Sequence, residues 1–189
     1  MHATHWYIDI DGTLTTAQMR EDRAFSTGVA VGSYGTADRH YPLGKEAFYT
    51  VFGDPVLFHT DQTIEGAEEL IHRLKQLSGS VQLTILTARP ERHAEATHLD
   101  LVQRGLWLPS MRLICKPSDW LQSSASFKAT VIAKDTASQA PVTCYLVDNS
   151  LANREAASEA ADCTSFSSCV DALEWLDYEG TDKEGEHYE

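Results

Sequence analysis

Five short apolar runs, separated by stretches of helical spacing, constrain this chain more than any other feature. The runs lie at residues 6–10, 81–86, 111–115, 143–147 and, more weakly, 163–166. They lack a clean alternation of apolar and polar residues, as expected of strands covered on both faces. Between them, Ile64, Ala67, Leu70, Leu74 and Leu77 recur at three and four. Pro90 suits a first helical position, and Gly105 suits the end of that helix. Phe127, Val131 and Ile132 predict a helix entered from residues 123–126. Ser150 is placed to cap the alanine-rich residues 151–161, and Ser168 with Asp171 forms a capping box before Leu173 and Leu176. Alternating strands and helices imply an α/β fold: a three-layer α/β/α sandwich around a mainly parallel, Rossmann-like sheet.

Right-handed crossovers bring the carboxyl ends of such strands to one edge, where ligands bind. Chemistry-bearing residues fall at those ends. The first run leads into Asp9-Ile10-Asp11-Gly12-Thr13-Leu14-Thr15, the second into Thr87-Ala88-Arg89, and the fourth into Asp148-Asn149. Two carboxylates two apart let one acid attack an electrophile or hold a metal while the other carries a proton. Gly12 lets the backbone turn where a side chain would obstruct substrate. Competing readings of these residues fail. A calcium loop would need its glycine later and a glutamate at its twelfth position, which, counting Asp9 as the first, is Arg20. No HExxH or Cys/His zinc spacing, no G-x-S-x-G elbow and no Walker-type glycine loop occurs. The eight histidines read as surface residues, with His40 and His59 as candidate lid contacts.

Asp9-x-Asp11-Gly12-Thr13, Thr87, a later lysine and Asp148, in that order, resemble the four motifs of the haloacid dehalogenase (HAD) superfamily of phosphohydrolases. The resemblance spans roughly residues 5–176. It implies that Asp9 attacks phosphorus to form an aspartyl phosphate. Asp11 would protonate the leaving oxygen and then deprotonate water, and so should hold a proton near neutrality. Thr87 would donate to a phosphate oxygen. Arg89 and Thr13 are candidate substrate contacts, although Arg89 could equally cap a surface. The implied cofactor is Mg²⁺, held by Asp9, Asp148 and the main-chain carbonyl of Asp11, because this ion prefers hard oxygens and few protein carboxylates. The region from Lys116-Pro-Ser-Asp119 to Phe127-Lys128-Ala129 is similar to polynucleotide 3′-phosphatase-type, small-cap members. On that pattern Lys128 holds the phosphate and Lys116 contacts substrate or is a solvated strand end. Many relatives carry a further acid at or soon after the residue following Asp148; Asn149 and Asn153 stand at those places here.

Residues 15–60 break the rhythm, with five glycines, weak periodicity and one expected short helix near 45–51. A segment this long in a compact domain is a lid or binding loop, or an insertion with its own small core. Its aromatics, among them Phe25, Tyr34, Tyr41, Phe48, Tyr49, Phe52 and Phe58, could stack bases, and its basic residues are Arg20, Arg23, Arg39 and Lys45. The expected organisation is one domain over 1–177, with 15–60 as its cap, and an acidic, disordered tail over 178–189.

The net charge of −13 disfavours strong unspecific binding to nucleic-acid backbones but not a nucleotide or strand end as substrate. Cys115, Cys144, Cys163 and Cys169 form no C-x-x-C pair and read as reduced, buried thiols. With no signal pattern and no membrane-length apolar run, the expectation is a soluble, cytoplasmic protein. The expected activity is a Mg²⁺-dependent phosphomonoesterase acting on a small phosphorylated substrate, preferably a nucleotide or oligonucleotide end. The alternatives are a sugar-phosphate or metabolite phosphatase, a phosphotransferase or mutase, and a non-catalytic binding protein on the same scaffold.

Overall fold

A computed structural model of the chain describes residues 3–32, 40–77, 81–138 and 142–182. Its strands are β1 (Ala3–Ile8), β2 (Val81–Pro90), β3 (Arg112–Lys116), β4 (Val142–Val147) and β5 (Thr164–Phe166). Every pairing is parallel, in the order β3-β2-β1-β4-β5. The helices are α1 (Gln18–Ser26), α2 (Gly44–Phe52), α3 (Ala67–Gln76), α4 (Ala94–Gln103), α5 (Ser124–Ser138), α6 (Leu151–Ala161) and α7 (Cys169–Asp182).

The central strand explains the missing alternation. Trp6 and Ile8 face a core shared with Leu70, Ile71 and Leu74 of α3 and Ala172 of α7. Tyr7 faces a second core with Phe127 and Ile132 of α5 and Ala157 of α6. Adjacent residues point to opposite faces, and both faces are covered. The register then sets the functional edge. Ile8 pairs with Ile85 on one side and Val147 on the other, so the chain leaves β1 at Asp9 beside the point where it leaves β4 at Asp148.

Local signals were met with small shifts. Pro90 ends β2 instead of opening a helix; a 3-10 turn, Glu91–His93, intervenes before α4. Gly105, at φ 72°, follows that helix. Ser168 Oγ accepts from Asp171 N at 3.1 Å, and the Asp171 carboxylate also accepts from the Ser167 hydroxyl. Ser150 caps nothing with its side chain; its own N–H donates to Asp148 Oδ1 at 2.9 Å.

Among its described residues, the insertion holds two α-helices, α1 and α2, and a 3-10 helix at Pro55–Thr60. Ala24, Val29, Ala30 and Phe48 form its core, with Phe25, Tyr41 and Phe52 packed against them. Most of its aromatics are thus internal, whereas Tyr49 is exposed. Tyr34 and Arg39 lie outside the described residues, as do His2, His187 and residues 183–189 of the tail. The start of that tail is helical, because α7 runs to Asp182.

Two expectations are overturned. His5 is buried, 1% exposed, not a surface residue. Its Nε2 lies 2.8 Å from Thr84 Oγ1 on the neighbouring strand β2 and its Nδ1 3.0 Å from Tyr7 Oη two residues on, so the sheet supplies a polar partner that the local sequence does not show. Cys144 and Cys163 are joined in a disulfide, their Cα atoms 4.8 Å apart, because the turn after α6 returns the chain beside β4. Cys115 and Cys169 are free and buried. Among the described residues, no helix is long and apolar enough to cross a membrane.

Candidate active site

The turn after β1 is built around one carbonyl. Thr13, Leu14 and Thr15 all donate their N–H to Ile10 O, at 3.1, 2.9 and 3.0 Å. Gly12 sits at φ 87°, and a Cβ there would lie 2.8 Å from Asn149 Cγ. Glycine is therefore required both by the left-handed backbone and by the Asn149 side chain, rather than by substrate space alone. Thr13 braces the same junction: its buried hydroxyl accepts from Asn149 N at 3.1 Å, and its carbonyl accepts from Cys169 Sγ at 3.4 Å.

This turn and the end of β4 present two carboxylates to one lysine. Lys128, fully buried on α5, places Nζ 2.8 Å from Asp9 Oδ1 and 2.6 Å from Asp148 Oδ2. Both Asp148 oxygens accept hydrogen bonds. Asn153 Nδ2 donates to both of its oxygens, at 3.0 and 2.9 Å, and Ser150 N donates to Oδ1. Asn153 thus orients Asp148 by hydrogen bonds. Burial raises the Asp9 pKa, Lys128 opposes it, and the charge of Asp148 adds to it. Burial alone would lower the Lys128 pKa, but Asp9 and Asp148 more than reverse this. Lys116 is elsewhere: its Nζ donates to Gln122 O at 2.9 Å. Of the two candidate lysines, Lys128 is the one brought to Asp9.

Asp11 faces a second set of cations. Arg89, 3% exposed at the end of β2, donates through Nη2 to Asp11 Oδ1 at 2.7 Å and through Nε to both Asp11 oxygens at 3.1 and 3.2 Å. Arg20 of α1 also donates to Asp11 Oδ1. Burial on its own would raise the Asp11 pKa, but Arg89 and then Arg20 outweigh it and hold the carboxyl at about 2. This departs from the expectation of a proton held near neutrality: in this arrangement Asp11 is ionised. Thr87, buried on β2, accepts from Arg89 N at 3.2 Å, which leaves its own proton free to donate elsewhere.

Sequence reasoning missed Asp61, Asp100 and Arg104, and read Arg20 only as one of the cap's basic residues. Asp61 joins Arg20 and Arg89, accepting at 2.8 and 3.2 Å, and Asp100 joins Arg89 and Arg104 at 3.5 and 2.9 Å. No spacing rule marks them, since they meet only after the insertion folds back on α4. His40 and His59 are exposed and take no part in this cluster.

Among the described residues, no group of three or more His, Cys, Asp or Glu side chains is placed to hold an ion. Asp9 and Asp148 nevertheless share one cation already, so both carboxylates reach a common point. Two carboxylates and a main-chain carbonyl suit Mg²⁺, which keeps few protein ligands. The residues present fit that ion.

Comparison with known proteins supports the architecture. No protein-family model matches the sequence, and no curated protein does. Among solved structures, a chain of the Pnkp1/Rnl/Hen1 RNA repair complex is similar at TM-score 0.59 and 12% identity, over 87% of this chain and 42% of that one. A HAD-superfamily hydrolase from Ehrlichia chaffeensis is similar at TM-score 0.55 and 15% identity, over 93% and 97% of the two chains. CbbY from Rhodobacter sphaeroides, in complex with phosphate, is similar at TM-score 0.54 and 14% identity, over 86% and 85%. The chain spans less than half of the RNA repair chain it matches. At these identities the likeness is one of fold, and that fold is the one used by HAD-superfamily hydrolases.

Proposed function

We propose that this chain is a HAD-superfamily phosphomonoesterase that works through an aspartyl phosphate on Asp9. One observation carries the reading: Asp9 and Asp148, far apart in sequence, share the Nζ of Lys128 at the sheet edge, with Asp11 beside them. Mg²⁺ held by Asp9, Asp148 and the Asp11 carbonyl would neutralise charge on the phosphoryl group. Asp9 attacks phosphorus in line, and the bond from phosphorus to the ester oxygen breaks. That oxygen takes a proton from Asp11. In the second half, water attacks phosphorus, gives its proton to Asp11 and releases phosphate from Asp9. Thr87 and Lys128 bind the phosphoryl oxygens. Arg89 turns toward the same group, which loosens its hold on Asp11 and lets that carboxyl carry a proton.

A nucleotide or nucleic-acid end is the preferred substrate. Support comes from the likeness to a chain of an RNA repair complex and from the Lys116-to-Lys128 pattern. The insertion's aromatics contribute less, since most of them fill its own core. A small-metabolite phosphate is the second reading, favoured by the descent of Arg20 from the insertion onto Asp11.

The test is phosphate release from p-nitrophenyl phosphate, 3′- and 5′-nucleotides, 3′-phosphorylated oligonucleotides and sugar phosphates. Turnover should vanish with chelator and fall at least about 10²–10³-fold in Asp9→Asn and in Asp11→Asn. Full turnover by Asp9→Asn, or no turnover of the whole panel by the wild type, refutes the reading.

A further inference from the structure

We propose that Arg20, carried by the insertion, is a positioning residue that selects which oxygen of Asp11 exchanges the proton. This rests on the phosphomonoesterase reading above. Arg20 is fully buried. Its Nε and Nη2 grip Asp61 Oδ1 and Oδ2 at 3.0 and 2.8 Å, and its Nη1 donates to Phe52 O at 2.8 Å. The rings of Phe52 and Phe58 lie 4.5 and 5.2 Å from its guanidinium carbon. A planar donor fork held on its edges and covered by rings has little rotamer freedom left. Its contact with Asp11 is therefore fixed by the insertion.

That contact is one-sided. Among the described residues, Asp11 Oδ1 accepts from Arg20 and from Arg89 Nη2 at 2.7 Å and Nε at 3.1 Å, whereas Oδ2 accepts only the 3.2 Å bond from Arg89 Nε. With Arg89 turned to the phosphoryl group, as the proposed mechanism requires, Oδ1 would keep Arg20 and Oδ2 would lose its partner. A carboxylic acid whose carbonyl oxygen accepts from Arg20 then presents its hydroxyl, on Oδ2, to the leaving oxygen. The proton passes from Oδ2 to that oxygen as its bond to phosphorus breaks, and returns to Oδ2 from the attacking water. Asp61 anchors the device, because its carboxylate holds Arg20 in bidentate fashion. Lysine cannot replace the fork: a single ammonium lacks the geometry to bridge Asp61 and Asp11 together.

The experiment compares kcat/KM for phenyl phosphate, whose leaving oxygen needs a proton, and for p-nitrophenyl phosphate, whose leaving oxygen is stable without one. Arg20→Lys is assayed beside the wild type. So is the double variant Arg20→Met with Asp61→Leu, which removes the buried pair together so that no lone charge is left inside. Thermal midpoints report folding. In both variants the loss on phenyl phosphate should exceed that on p-nitrophenyl phosphate by about tenfold or more, part of the roughly 10²–10⁴ that proton transfer contributes. Equal losses on the two esters, or none, overturn the positioning role and leave the phosphatase reading intact. A wild type that turns over neither these esters nor any nucleotide, oligonucleotide or sugar phosphate of the wider panel overturns both.

Discussion

Lys128 is the residue on which the site's charge balance turns. It is buried between Asp9 and Asp148, and removing one partner of such a cluster strands the others. Lys128→Met should therefore lose about 3–5 kcal/mol of stability in chelator. If the two acids take Mg²⁺ as proposed, millimolar Mg²⁺ should return about 1–3 kcal/mol of that loss by binding the folded state. Urea midpoints with and without the ion measure both effects; a midpoint indifferent to Mg²⁺ would remove these acids as its ligands. A second buried group makes stability depend on pH. Burial, and then the charge of Arg112, push the His5 pKa from 6.5 down to about 4. The unfolded chain takes up this proton near pH 6.5 and the folded chain resists until about pH 4. Stability is fully present above that window, falls through it as the pH drops, and loses nothing more from this group below it. His5→Gln should flatten that limb of a midpoint-against-pH curve relative to the wild type; identical curves would show that His5 is not its source.

Element by element, legibility followed hydropathy. The five strands, α2 and the helices from α3 onward could be read from apolar residues at the right spacing or from end signals such as Gly105 and Ser150, although α4 and α6 also bury polar residues, Thr97 and Asp100 in the one and Asn153 in the other. The strand-end acids could be read with them, since parallel topology gathers strand ends whatever their sequence. Helix α1 could not. Its buried residues are Arg20, Glu21 and Ala24, and a buried arginine has the same sequence signature as a solvated one. Asp61, in the loop before α3, was hidden for the same reason. The aromatic cluster under α7 is the opposite case, since it sits on elements that apolar runs and a capping signal had marked, although the packing itself was not read. Trp175 lies 4.9 Å from Tyr145, 5.6 Å from Phe166 and 6.1 Å from Trp6, ring centre to ring centre. Trp175→Ala should cost about 2–4 kcal/mol, slightly less than a fully buried tryptophan because part of the ring is exposed. Chemical denaturation reads that loss, and a cost under about 0.5 kcal/mol, the size of an ordinary surface substitution, would mean that α7 does not hold the sheet.

At the scale of the whole molecule, charge limits how a polyanion can approach. The chain carries −13, of which Asp177 to Glu189 contribute −5. The buried cations do not offset this outwardly, because Arg20, Arg89, Arg104 and Lys128 each already face a carboxylate. A protein that grips a strand along its backbone releases counterions and loses affinity steeply as salt rises. An acidic protein that takes only the terminal phosphate should do the reverse, since salt screens the repulsion between enzyme and strand. For a 3′-phosphorylated oligonucleotide, kcat/KM should therefore rise as ionic strength goes from about 20 to about 200 mM, across which the screening length shortens to below ~10 Å. For a mononucleotide the change should be smaller, because fewer phosphates feel the field. A steep fall with salt for the oligonucleotide would instead mean that a cationic track leads to the site, and that the strand is held well beyond its end.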